Sequence, residues 1–428
     1  MILTVEPQDC AGRGLEKSQT LPITSSMRAG APLDERAFVK IRRRAILDGC
    51  KWDPQVGDVS TLAPFPLLLS RNHWNNLACF TEQLTIETLA AEQEILRRPE
   101  LLRILGLPRT VCNALKRPGE ITPAAARVMR FDFHPTRDGW RISEVNSDVP
   151  GGFTEASFFT CLIAEYFPEA RPSGNPIDRW AEAIADSAGI AGKVALLTAP
   201  GFMEDHQIIA YLAEHLRARG CETHLTNPAQ LTWREHKAYL DTEWFRGKLD
   251  AVVRFFQAEW MPYLPRRVRW ENFLRGGRTP VGNPGVAVLA ESKRFPLVWD
   301  DLATPLLTWR SLLPETCDTR EAPWQTDDGW LVKAAMSNTG DEVCVRELMK
   351  EREWRRVSWN VRLRPRSWVA QRRFESVPLD TPLGPMHVCL GVYSINGRTA
   401  GAYARFASRP VIDYSAVDTA VLVLNDDD

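Results

Sequence analysis

The stretch that most constrains this chain is Arg130 to Asp148, RFDFHPTRDGWRISEVNSD. Two strand-like runs flank a turn containing Asp138-Gly139, which predicts a β-hairpin. Side chains alternate faces along a strand, so Arg130 and Asp132 share a face of one arm, as do Glu144 and Asn146 on the other. The pairs are symmetric about residue 138, which sets Asp132 opposite Glu144 and Arg130 opposite Asn146. In that register all four side chains lie on one face, with cross-strand Cβ atoms about 5 Å apart. Two carboxylates and an amide oxygen are hard donors of the kind that hold Mg²⁺ beside phosphate. An arginine next to them suits phosphate oxygens. The same residues also suit a surface hairpin laced by cross-strand ion pairs, and pattern alone leaves both readings open.

Composition narrows the classes. A length of 428 residues suggests about two to three domains. Apolar and charged fractions of 44% and 25% are those of an ordinary globular protein. A net charge of −1 argues against a general nucleic-acid or anionic-membrane binder. The nine cysteines are scattered and form no CxxC, which fits buried thiols in a reducing cytoplasm. No signal-peptide pattern and no apolar run of membrane-spanning length occurs.

Further elements are expected along the chain. A basic helix is expected over 34–50, and a long helical region over 73–117 in which Trp74, Leu77, Phe80 and Leu84 recur at three or four residues. Beyond the hairpin, a helix is expected from Glu155, then strands at Lys193–Thr198, Glu222–Leu225 and Leu249–Phe256. A helix from Glu204 to Arg219 lies between the first two, a β-α-β rhythm that implies a parallel sheet. Arg254 and Glu259 flank the end of the last strand, as a substrate clamp or as a surface ion pair. Strands at Trp330–Lys333, Glu342–Arg346 and Trp368–Phe374 follow, then a hairpin around Asn396-Gly397. No GxxxxGK[ST] or GxGxxG occurs. Lys293, Lys333 and a small-residue loop at 337–341 instead suit a nucleotide held between two β-layers.

The order RxD, then ExN, then NSDVPGGFTEAS resembles the circularly permuted ATP-grasp enzymes of the glutathionylspermidine synthase-like family. LDAVVRFFQAEW, ESKRFPLVWDDL, WLVKAAMSNTGDEV, WVAQRRF and GVYSINGRTAGAYARF look like later pieces of that family in order, so the likeness spans roughly 60–415. The resemblance implies a mixed α+β and α/β protein with an ATP-grasp-like, circularly permuted core. With the elements above, the chain is expected to divide into a flexible leader rich in polar and small residues (1–30), a helical N-terminal part (31–120), a metal-binding hairpin with its following helix (121–186), a pre-ATP-grasp α/β domain (187–290) and a lysine, loop and closing-sheet region (291–428).

For the site, the resemblance implies Asp132, Glu144 and Asn146 as Mg²⁺ ligands, and Arg130 and Arg405 at the reacting centre. ATP contacts fall to Lys293, Lys333, Ser337, Gly340 and Gln371, and substrate contacts to Arg254 and Glu259. The implied activity is an ATP-dependent carboxylate–amine ligase working through an acyl phosphate. A catalytically silent nucleotide-binding scaffold and an ATP-grasp kinase are the alternatives. Its partners are small-molecule carboxylate and amine substrates, one of which can ride on a larger partner, and neither nucleic acid nor membrane. Val149, Pro150, Gly151 and Gly152 supply no hydroxyl next to the metal asparagine. That speaks against glutathione and spermidine as the pair, and predicts extra room there.

Overall fold

The computed structural model describes residues 27–56, 59–336, 343–413 and 415–425. Helix α1 (Glu35–Leu47) is capped by Asp34, whose side chain accepts from the Ala37 amide. Strand β1 (Leu67–Leu69) leads into α2 (Arg71–Arg97), capped by Ser70. α2 buries Leu77, Leu84, Ala91 and Ile95 completely, with Trp74 and Phe80 packed at the rim, so the expected apolar stripe faces the core. The helical region to 117 breaks before Pro99, the boundary that this proline suggests, and continues as a short turn at Leu101–Arg103 and a short helix at Arg109–Leu115. His73 makes a local contact, its Nδ1 lying 3.2 Å from the Ser70 hydroxyl.

Strands β2 (Val128–Thr136) and β3 (Gly139–Asn146) form the predicted hairpin. Helix α3 (Pro176–Ala188) follows, then β4 (Lys193–Thr198), α4 (Met203–Ala218), β5 (Glu222–Thr226) and β6 (Ala251–Phe255). The C-terminal third holds β7 (Trp330–Ala334), α5 (Glu351–Leu363), β8 (Trp368–Arg372), β9 (Gly384–Ile395), β10 (Arg398–Ala407) and β11 (Val417–Leu424).

Three sheets matter for the site. The largest runs from the strand Met27–Ala29 through β1, β11, β10, β9 and β2 to β3. Its steps are antiparallel except the parallel pairing of β11 with β1. A second sheet is wholly parallel: β5, β4, β6, then short strands at Val281–Gly282 and Ala124–Ala126. It is the β-α-β unit expected from the sequence, with α4 as the crossover. A third, antiparallel sheet orders Thr316–Cys317, β8, β7 and Val343–Cys344. The main core lies between the large sheet and α2, where Phe131, Phe295, Trp299 and Trp309 meet edge to face or tilted. No helix among the described residues is long and apolar enough to cross a membrane.

Candidate functional site

The hairpin register is the expected one at its base and shifted near its tip. Arg130 pairs with Asn146 and Phe131 with Val145, but Phe133 pairs with Ile142, so β3 bulges and sets both Ser143 and Glu144 opposite Asp132. Such a bulge re-aims side chains beside a site. Asp132 becomes the hub of the cluster. It accepts from Arg130 Nε at 2.8 Å and Nη2 at 3.0 Å, from Arg405 Nη2 at 2.8 Å and from Asn146 Nδ2 at 3.2 Å. Arg405 reaches it from β10, two strands away from β2 across β9. Burial disfavours the Asp132 carboxylate, but Arg130 and Arg405 outweigh that and hold its pKa near about 2.

The facing wall comes from the third sheet. Lys333 on β7 donates to the Ser143 carbonyl of β3 at 3.1 Å. Gln371 on β8 donates to Thr316 Oγ1 at 2.9 Å, while its buried Oε1 has no partner among the described residues. Between the two sheets lies a cavity of about 110 Å³ that Arg130, Asp132, Glu144, Lys333, Gln371 and Arg405 help to line. Lys293 enters from the side, its Nζ 3.4 Å from Glu144 Oε2. Burial raises the Glu144 pKa, and Lys293 and Lys333 more than reverse that, so it stays ionised. Burial drives the Lys333 ammonium down to about 8, with Glu144 opposing and Lys293 adding to the shift. His134, buried beside Asp132, is lowered to about 4 chiefly by burial and is neutral at pH 7.

A layer of buried residues behind the hairpin holds this face in place, and sequence reading misses it. Glu291 accepts the amides of Ser147 at 2.6 Å and Asp148 at 2.9 Å. Asn283 bridges the Val128 amide and carbonyl to the Ser147 and Asp148 carbonyls. Arg127 joins Glu92 at 2.6 Å to the Ser147 hydroxyl and carbonyl. The only sequence hint is that Glu291 stands two residues before Lys293, so one segment both pins the hairpin exit and delivers the lysine. Its neighbour Arg294 turns the other way, to Trp368 O at 2.7 Å and Asp318 at 2.7 Å, and ties the same segment to the third sheet.

Two expectations change. Arg254 and Glu259 do not form a clamp at a surface. Arg254 is fully buried, paired with Asp148 and donating to Asn283 O at 3.1 Å, because β6 is an inner strand whose end abuts the hairpin exit. Glu259 lies half-buried with its Oε2 unpartnered among the described residues, and burial beside Asp148 raises it to about 7. The room expected at Gly151-Gly152 is filled, since a Cβ on Gly152 would stand 2.5 Å from the Tyr403 ring and 2.8 Å from the Tyr393 hydroxyl. Ser337 and Gly340 lie outside the described residues.

An unforeseen acidic group borders Arg405. Asp418, its cross-strand partner on β11, joins Glu155 and Asp53 around the buried Lys51, whose Nζ is 2.5 Å from Glu155 and 2.8 Å from Asp53.

Residues 67–421 match the family model described as glutathionylspermidine synthase, pre-ATP-grasp. The chain belongs to the glutathionylspermidine synthase pre-ATP-grasp family. The mixed α/β architecture is consistent with that family's fold. Among solved structures, a glutathione synthetase-like effector (GSS30) from Globodera pallida in its apo form is similar, with a TM-score of 0.61 at 12% identity. The match covers 92% of this chain and 98% of that one, and at this identity it speaks for the fold alone. No curated protein matches the chain.

Membership of the glutathionylspermidine synthase family points to an ATP-dependent ligase and to ATP and Mg²⁺ as its requirements. Among the described residues, no group of three or more His, Cys, Asp or Glu side chains is placed to hold a metal. The hairpin set holds only two carboxylates, with the Asn146 amide as the third donor. Asp132 and Glu144 are both ionised and both line the cavity, so the donor types fit a hard cation that keeps several waters.

Proposed function

We propose that this protein joins a carboxylate to an amine in an ATP- and Mg²⁺-dependent reaction through an acyl phosphate, releasing ADP and phosphate. The observation that carries the reading is the convergence of Arg130 and Arg405 on Asp132 in a cavity whose opposite wall presents Lys333 and Gln371. Phosphoryl transfer needs positioning and charge neutralisation more than covalent help. Lys333 in the cavity wall and Lys293 beside Glu144 would meet phosphate oxygens, and the Gln371 Oε1, unpartnered among the described residues, would accept from an amino group of a bound base. Asp132, Glu144 and Asn146 would hold Mg²⁺, which when bound neutralises phosphate charge. Arg130 faces the developing charge of the transferring phosphoryl, and Arg405 orients the acyl oxygen. Asp132 holds both guanidinium groups in place in the absence of substrate.

The substrates are a carboxylate other than glutathione and an amine other than spermidine. Positions 149–152 offer backbone donors only, and Tyr393 and Tyr403 crowd Gly152, which restricts rather than enlarges the acceptor side. The test is a screen of amino-acid and small-peptide pairs read by ADP release and product mass. An amide product with stoichiometric ADP supports the ligase. A phosphorylated product without an amide identifies a kinase, and no ADP with any pair identifies a silent scaffold.

A further inference from the structure

The stretch from Arg346 to Arg366 carries seven arginines and one lysine against three glutamates, in a chain whose net charge is −1. Helix α5 occupies its middle and buries Trp354 and Val361, with Val357 packed against the same cluster. The opposite face carries Arg352, Arg356, Trp359 and Leu363, spaced by four, three and four residues, and so forms one stripe along the helix. Trp359 is 64% and Leu363 63% exposed, and both arginines of the stripe are exposed. Arg352, Arg356, Arg364 and Arg366 have no carboxylate partner among the described residues. The patch begins at the reaction site, because Leu348, three residues before α5, lines the cavity and is itself 39% exposed.

We infer that this face docks an acidic polypeptide carrying at least one apolar anchor. Charge sets the sign of the partner. The choice of arginine over lysine, with an exposed tryptophan, is the composition of protein–protein interfaces, where Trp, Tyr and Arg dominate the energetics and Lys is depleted. Guanidinium forks also bind carboxylates bidentately. A nucleic acid would leave Leu363 uncovered, and two apolar side chains bury too little to hold a helix on a bilayer. Under the ligase reading, on which this part alone rests, a partner seated here holds its substrate group at the mouth of the cavity.

Docking is measured without turnover, so failure of the ligase reading and failure of docking are separate results. A fluorescein-labelled 20-residue helical peptide of glutamate and leucine is titrated with the full chain, and anisotropy is followed at 0.15 M salt. Saturable binding is expected that weakens about tenfold or more in Trp359→Ala and in the double variant Arg352→Glu, Arg356→Glu. Arg43→Glu on the exposed face of α1, the other basic helix, leaves binding unchanged. A peptide with glutamine for glutamate binds weakly. The inference is overturned if the α5 variants, shown to be folded by their melting curves, bind the acidic peptide as the unaltered chain does. It is equally overturned if the acidic peptide does not bind, or if a single-stranded RNA or phosphatidylserine vesicles bind the patch more tightly than the peptide.

Discussion

Arg130, Asp132 and Arg405 form a unit in which each cation is held by the same carboxylate, and this governs how substitutions at the site act. Arg130→Ala is expected to lower kcat by about 10²–10³ with a smaller change in the KM for ATP, the mark of a group acting in the transition state. A steady-state titration of both parameters checks this, and a change confined to KM would place Arg130 in ground-state binding. Asp132→Asn and Glu144→Gln are expected to abolish Mg²⁺-dependent turnover, Asp132→Asn also with a lowered melting temperature because it leaves the buried Arg130 without its carboxylate, and near-normal activity in both would remove them from the metal site. Lys333 supplies a pH signature. Its pKa is lowered to about 8, so the free enzyme loses this ammonium as pH rises through that value. The KM for ATP should therefore climb above pH 8, and Lys333→Arg, which stays charged, should flatten the profile.

At the scale of elements, α2 and the Lys51 cluster carry different kinds of stability. Leu84 on α2 is completely buried in the main core, so Leu84→Ala should destabilise by about 2–5 kcal/mol, measured by urea unfolding. Lys51 stands among Glu155, Asp53 and Asp418, and Lys51→Met leaves the buried carboxylate of Glu155 uncompensated. A loss of about 3–5 kcal/mol is expected, recovered in part at low pH as Glu155 protonates. A loss independent of pH would show that packing, not charge, is at stake. The two hairpins were legible because their signals are local: Asp138-Gly139 and Asn396-Gly397 mark the turns, and Asn396 and Gly397 take positive φ of 49° and 84° as such a turn requires. Helix α3 is not among the elements expected above, although Asn175 caps it, Pro176 opens it, and Ile177, Trp180, Ala181 and Ile184 make its stripe. Helix α5 is missing for a better reason, since its few apolar residues are swamped by charge.

For the whole molecule, the substrate expectation is checked by incubating the protein with ATP, Mg²⁺, glutathione and spermidine, and no conjugate is expected by mass. Efficient conjugation of that pair would overturn it. The sequence by itself determined the hairpin, its face of Arg130, Asp132, Glu144 and Asn146, and the β-α-β unit, because turn chemistry and strand period act over a few residues. Resemblance gave roles to Lys333, Gln371 and Arg405, which line one cavity, and to Lys293, which pairs with Glu144 beside it, and no spacing rule implies that gathering. Only the tertiary structure decided that Arg254 is buried against Asp148, that Tyr393 and Tyr403 fill the space beside Gly152, and that Glu291, Asn283 and Arg127 brace the hairpin. In most of those contacts the partners are more than a hundred residues apart along the chain. Burial and pairing at that range follow from how the sheets pack, and no local pattern of residues records it.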